Sequence, residues 1–285
     1  MSIRIVSPSL APPRSTPQAE AAPPTLWQRI GKRLTGDTLI QCLVIFALMA
    51  GWETVTRLGL VAPFLLPPLS SVLSRIFQDM LAGAVFIDLS LTLYRAAMGF
   101  AIGVAIAIPL GVLMARNAGV RWFFDPLISI GFPMPKISFL PIFILWFGIF
   151  DTSKIVMIAF SCFFPVVSAT YSGTLGVDKW VIWSARSFGA TPNQVLREVV
   201  LPMALPQILT GIQIAVPVGL ITTVVTEMLM GGPGIGGSMM QAGRFADSVG
   251  VFAGIVEIAL LGAVVVRAVE WVRARLLVWH PETRR

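Results

Sequence analysis

The chain has 285 residues, 56% of them hydrophobic and 12% charged, and a formal net charge of +7. Soluble domains carry about 25% charged residues, so the composition excludes an ordinary soluble fold and points to hydrocarbon as the solvent for much of the chain. The 21 Lys and Arg form no single cluster, which argues against a nucleic-acid partner, and two Cys with one His leave no multi-ligand metal site, no call for a cofactor and no Ser-His catalysis.

In chain order, Met1 to Pro24 holds six prolines and no apolar core or secretory h-region, so 1–36 reads as a disordered Pro-rich tail. Within it, Leu26–Leu34 carries Trp27, Arg29, Lys32 and Arg33 and suits a membrane surface. Six apolar runs follow, at about 38–58, 92–115, 126–149, 154–176, 207–230 and 251–272. Each is near the roughly 20 residues needed to cross a bilayer, so the expected fold is all-α, a polytopic membrane bundle. The expected organisation is a first span within 37–60, an external connector over 61–87, a transmembrane core over 88–276 and a second tail over 277–285.

The connector is not featureless. Leu69, Val72, Leu73, Ile76, Phe77, Met80 and Leu81 recur at helical spacing, one face of an amphipathic helix with Ser70 or Ser71 as N-cap. Span two carries a small residue at every fourth position, Gly99, Gly103, Ala107, Gly111 and Ala115, a stripe that lets another helix come close. Pro126, Pro133, Pro135 and Pro141 interrupt span three, which is expected to be broken at its start, and Pro109, Pro165 and Pro217 mark kinks elsewhere. Ser161, Ser168 and Ser172 share a face of span four. Helix–helix packing is the favoured reading of these serines, a polar pathway the other.

Orientation follows from basic residues at span ends. Fourteen fall on the side of the N-terminus and five, Arg57, Arg75, Arg95, Lys154 and Arg244, on the other, with Lys136 and Arg267 uncounted. Both termini are therefore expected in the cytoplasm. Glycines 232, 234 and 237 match G-x-G-x-x-G, but they follow a membrane span and no Walker lysine follows them. A flexible external loop is the better reading, and the chain shows no ATPase of its own. Glu53, Glu227 and Glu257 fall inside apolar runs, where an acid is a functional candidate by default. Glu227, after Thr222, Thr223 and Thr226, lies near the outer end of span five, with room for partial solvation. A structural or gating contact and a pathway residue are equally open readings.

The longest inner connector, 177–206, is not hydrophilic filler. Trp183-Ser-Ala185-Arg-Ser-Phe-Gly189 reads as a helix ended by glycine, after which Ala190, Thr191 and Pro192 make a turn and a new N-terminus. Val195, Leu196, Val199 and Val200 give an apolar face, closed by Leu201-Pro202, and Pro206 opens span five. Exposed apolar residues on such a hairpin suit docking to a partner, the alternative being a hairpin laid against the bundle.

Trp183-Ser184-Ala185-x-x-x-Gly189, with nine residues between Gly189 and Val199-x-Leu201-Pro202, resembles the "EAA" loop of permeases of ABC importers, binding-protein-dependent transport inner-membrane components. Phe64-Leu-Leu-Pro67-Pro-Leu-Ser-Ser-Val, Leu140-Pro141, Leu145-Trp-Phe-Gly-Ile149 and Leu201-Pro-Met-Ala-Leu-Pro206 are similar to the alkanesulfonate, taurine and nitrate branch. The resemblance spans about residues 60 to 280. It implies a MetI-like type I importer fold, a second permease copy, a pair of ABC ATPase subunits and an extracytoplasmic substrate-binding protein. It further implies that Ala185, Gly189, Ala190, Thr191, Pro192, Leu201 and Pro202 form the loop that couples to the ATPase. Trp183 and Ser184 replace the family's leading acid and first alanine. The implied role is non-catalytic: a multi-pass subunit of the bacterial inner membrane carrying a small solute such as a sulfonate, taurine, nitrate or bicarbonate. Two rivals are a secondary transporter, which calls for internal repeats and mid-membrane ion ligands, and a membrane-embedded enzyme, which calls for a catalytic cluster.

Overall fold

A computed structural model describes residues 37–279, and among them every regular element is a helix. The N-terminal tail, Leu26–Leu34 within it, and residues 280–285 of the second tail lie outside the described residues. The chain divides into two units, Met1–Gly51 and Trp52–Arg285. The first contributes most of helix α1 (Asp37–Arg57), whose Leu39, Leu43, Phe46 and Leu48 side chains are exposed, a surface suited to acyl chains.

The second unit holds the last turns of α1, then α2 (Leu69–Leu81), α3 (Ala84–Arg116), α4 (Ala118–Gly131) and α5 (Leu140–Phe147), the last entered through a 3₁₀ turn, Lys136–Phe139. After these come α6 (Asp151–Leu175), α7 (Lys179–Ser187), α8 (Pro192–Met230), α9 (Ile235–Arg244) and α10 (Ser248–Leu276). Five helices are long and apolar enough to cross a membrane, and the bent pair α4–α5 makes a sixth candidate.

Helix α6 is the centre of the bundle, clamped between α3 and α8, because both neighbours offer it glycines. On α3 the predicted stripe does this: Gly99 faces Ile158, Gly103 faces Ala159 and Cys162, and Gly111 faces Thr170. Hydrocarbon gives helices no hydrophobic reason to associate, so close backbone approach and the dispersion it allows hold the pair together. Ala107 and Met114 extend the seam against Val166 and Val167 of α6. On α8, Gly211 meets Ala169 and Gly219 meets Cys162.

These pairs also fix direction. Residue numbers rise together along α3 and α6, so the two run parallel, whereas along α8 they fall as those of α6 rise. Two parallel helices need a return crossing between them, and α4–α5 supplies it. The pair bends by 103°. The break lies over Phe132–Pro135, in the early part of the 126–149 run and on two of the prolines that mark it, while the helical pair itself begins earlier, at Ala118. Pro126 is tolerated inside α4, and Pro141 sits in the first turn of α5, where its missing N–H costs no helical bond.

The amphipathic α2 forms where the spacing placed it, but neither Ser70 nor Ser71 is its N-cap. The helix starts at Leu69, with Pro68 in the cap position and no side-chain cap of its own. The missing acceptor comes from α1: the Glu53 carboxylate accepts from the Ser70 backbone N–H at 3.1 Å and its hydroxyl at 2.8 Å, and pairs with Arg57 at 2.6 Å. Trp52 Nε1 donates to the Pro67 carbonyl at 3.0 Å. One acid flagged inside an apolar run is thus a cap for a neighbouring helix. Val72 is the buried anchor of α2, while Leu73, Phe77 and Leu81 stay exposed. Arg75 bridges Asp79 (2.7 Å) and Asp247 (3.0 Å), and the Asp79 hydrogen bond, the larger influence, raises the guanidinium above its usual pKa.

Candidate functional site

At one end of the second unit, α7 and the start of α8 form a short hairpin whose geometry explains the Ala-x-x-x-Gly spacing. Asp178 caps α7 by accepting from the Trp180 N–H at 2.9 Å. At the other end of α7, the Ala190 N–H donates to the Ala185 carbonyl (3.1 Å) and the Gly189 N–H to the Arg186 carbonyl (2.9 Å). This is a Schellman closure, which needs a left-handed residue one place past the C-cap. Gly189 occupies that place at φ +85°. Ala185 and Gly189 are therefore two ends of one turn. Gly189→Ala is expected to cost about 1 kcal/mol through the left-handed backbone alone, read as a lower unfolding midpoint in detergent.

Thr191 then starts α8 with a reciprocal cap: its hydroxyl accepts from the Gln194 N–H at 3.4 Å, and the Gln194 side chain accepts from the Thr191 N–H at 2.8 Å. Pro192 fills the first helical position. Thr191→Ala is expected to cost about 1 kcal/mol, with faster amide exchange over residues 192–195 as its local signature. Leu201-Pro202 does not close the helix, contrary to the sequence reading. Val195–Val200 form a single wide turn, in which the Leu201 N–H reaches the Leu196 carbonyl five residues back, and α8 continues through Pro202 and Pro206 to Met230. The wide turn gives the Pro202 ring room that a regular α-turn would deny it.

The hairpin's apolar face also differs from expectation. Val195 and Val200 are buried against Val177, Ala204 and Ile208, with Ala185 and Ala190 packed alongside, so the face of the second helix lies against the bundle. The exposed apolar groups belong to the first helix and its turn: Phe188 is 89% exposed, Trp180 72% and Trp183 52%. The two indoles meet edge to face at 5.0 Å. Gly189, Thr191, Pro192 and Pro202 are exposed, and Ala185, Ala190 and Leu201 half-buried. The predicted loop residues thus gather on one hairpin.

At the opposite end of the same unit lies a buried ion cluster. Glu227 is fully buried and Arg95 is 2% exposed, so the partial solvation expected for Glu227 does not occur. Arg95 Nη1 pairs with Glu227 at 2.7 Å and donates to the Pro233 carbonyl at 2.7 Å, while Nη2 reaches Asp151 at 2.8 Å. Thr92 donates its hydroxyl to the Glu227 carboxylate (2.9 Å) and accepts from the Ile235 N–H (3.0 Å). Lys154 donates to the Gly231 carbonyl at 3.0 Å.

The glycine-rich segment is the strap across this cluster, and not a flexible loop. Gly234, at φ +125°, donates its N–H to Asp88 (2.8 Å), and Gly236 donates to Glu227 (3.1 Å). A side chain at 234 would strike the Glu227 carboxylate and Arg95. Arg95 and Lys154 are accordingly no loop charges, which takes two from the five counted against the cytoplasmic side. The signal for the cluster was present in sequence, since Asp88, Thr92 and Arg95 fall at i, i+4 and i+7 on one helical face.

Ser161, Ser168 and Ser172 do share a face of α6. Ser161 is buried with no hydrogen-bond partner among the described residues, Ser168 is half-buried and Ser172 exposed, so the face opens toward the hairpin end. Among the described residues no group of three His, Cys, Asp or Glu side chains could hold a metal ion.

Residues 107–278 match the family described as binding-protein-dependent transport system inner membrane component. The chain is 35% identical to the taurine transport system permease protein TauC of Escherichia coli, over 83% of this chain and 88% of that protein. It is 33% identical to the putative aliphatic sulfonates transport permease protein SsuC of Bacillus subtilis, over 82% and 84%, and 33% identical to the formylaminopyrimidine transport permease protein ThiX of Halalkalibacterium halodurans, over 84% and 94%. Its fold is like that of a chain of the MetNI methionine ABC transporter, with a TM-score of 0.51 at 22% identity, covering 68% of this chain and 97% of that one. With more than half its length matched, this chain belongs to the inner membrane permeases of binding-protein-dependent transport systems.

Proposed function

We propose that the chain is the membrane subunit of an ATP-driven importer that carries a small organic anion, of the sulfonate or taurine class, toward the cytoplasm. The observation that carries this reading is the hairpin: a turn locked at Gly189 and Thr191 that holds Trp180, Trp183 and Phe188 out from the bundle. Large apolar groups presented on a rigid support suit insertion into a partner's cleft. The partner is a pair of ABC ATPase subunits, seated at the 177–206 connectors of two permease copies. Closure of that pair on ATP moves the hairpins together, and the bundles rock to expose the solute path alternately. A binding protein delivers solute at the opposite face, where the 61–87 connector and the glycine strap lie.

Both termini of the chain are cytoplasmic in this scheme. With Arg95 and Lys154 engaged in the ion cluster, fourteen basic residues face three across the membrane. The sulfonate or taurine class is supported by the names of the two relatives above, and its test is uptake. The partner is tested by affinity purification of the tagged chain from native membranes. A P-loop ATPase is expected with the wild type and is expected to be lost with Gly189→Asp, whose monodispersity in detergent shows that it is still folded. If no ATPase accompanies the wild type in mild detergent, the importer reading falls, and the purified chain is then assayed for ion-coupled uptake.

A further inference from the structure

The first helix of the hairpin carries charge that the bundle does not use. α7 reads Lys179-Trp-Val-Ile-Trp-Ser-Ala-Arg-Ser187, with two cations and no carboxylate. Lys179 and Arg186 are both exposed, and neither forms an ion pair among the described residues. The adjacent acid, Asp178, turns its carboxylate back to the Trp180 N–H as the cap of α7.

Helical phase fixes which way these groups look. Ile182 and Ala185 pack against the cluster around Val177 and Ile208, so the flank that carries them is the one turned to the bundle. Lys179, Trp183 and Arg186, at i, i+4 and i+7, share one strip of the helix, and Trp180 lies beside it on the side away from the bundle. Phe188, just past the helix, is the most exposed of the three aromatic side chains. The outward surface is thus two edge-to-face indoles and a phenyl ring, flanked by two unpaired cations.

That mixture selects the kind of partner. A helix lying on a bilayer separates its charges and its apolar groups onto opposite faces, whereas α7 sets Trp183 between Lys179 and Arg186 on one. Rings held in place by a capped turn suit a concave apolar pocket, where a few aromatic anchors supply most of the binding energy. Unpaired cations at the edge of such a contact are matched by carboxylates on the other side, and are repelled by a basic one.

We propose that the surface receiving this hairpin is an apolar pocket with an acidic rim: Trp180, Trp183 and Phe188 fill the pocket, and Lys179 and Arg186 face carboxylates around it. This inference rests on the reading of the partner as an ABC ATPase subunit, and it names the chemistry of that subunit's cleft. Trp183 is the discriminating residue, because an acid in its place would meet the same acidic rim.

The test is binding of the P-loop ATPase that co-purifies with the wild type to the full chain in nanodiscs, at low and high salt. Melting in detergent, expected at the wild-type midpoint because these side chains are exposed, shows that each variant is folded. Trp183→Ala is expected to weaken binding about thirtyfold with the salt dependence kept, the scale of one aromatic anchor. Lys179→Gln/Arg186→Gln is expected to weaken it about tenfold at low salt and to lose most of the salt dependence. Trp183→Glu is expected to bind more weakly than Trp183→Gln, with the gap closing in high salt. Trp183→Glu binding as well as Trp183→Gln, or better, means a neutral or basic cleft and overturns the inference while the importer reading stands. Equal affinity across all the variants also overturns it, since the aromatic face then meets lipid or solvent and another part of the connector docks. If no ATPase accompanies the wild type, the importer reading falls and this inference with it.

Discussion

Arg95→Met is expected to destabilise the folded chain by about 3–5 kcal/mol, because it strands a fully buried Glu227 carboxylate without its cation. The Thr92 hydroxyl and the Gly236 N–H would still reach that carboxylate, but they carry no charge to offset it. In detergent the change should appear as a fall in Tm on the order of 10 °C. The double variant Arg95→Met/Glu227→Gln separates the two sides of the effect. Removing both charges leaves no buried ion uncompensated, since the Asp151 carboxylate that also loses Arg95 is 47% exposed and stays solvated, so the double variant should be more stable than Arg95→Met alone. A single variant that melts with the wild type would mean that the cluster is solvated in the membrane and that the strap is not its lid.

Gly103→Leu is expected to have the second large effect. A Cβ at that position would lie 2.7 Å from the Ala159 carbonyl oxygen and 3.2 Å from Cys162 Cβ. The first of these is backbone, which no rotamer change can move aside. Overpacking in a close-packed core typically costs 1–3 kcal/mol, occasionally more, and about the upper end is expected here because α6 is held on its other flank by α8. Gly262 is the control, since its Cβ would meet nothing within 4 Å. Thermal unfolding of Gly103→Leu and Gly262→Leu side by side reads the difference. Equal midpoints would show that α3 and α6 are not in contact through the glycine face.

Much of the fold was legible because hydrocarbon simplifies the code. Span length, the glycine stripe on α3 and the amphipathic period of α2 each follow from one physical requirement. What sequence could not convey was which polar groups find each other across spans. Glu53 caps α2 from seventeen residues away, and Arg95 meets Glu227 across 132 residues. Both pairings depend on how the helices are arranged, which apolar periodicity does not encode. The hairpin was read correctly in its turn chemistry, because Gly189 and Thr191-Pro192 act locally. Its outward face was assigned to the wrong helix: Val195 and Val200 look as dockable in sequence as Trp180 and Phe188, and only the position of Val177 and Ile208 decides which pair is covered. Helix α9 was missed altogether, since Gly236 and Gly237 at its start disguise it as loop.

The wide turn at Val195–Val200 inserts one residue into α8 relative to an unbroken helix. One residue corresponds to about 100° of rotation about the helix axis. The hairpin and the span beyond it are thus out of phase by that angle, and a push on the hairpin would reach the far end of α8 through a joint that can convert translation into twist.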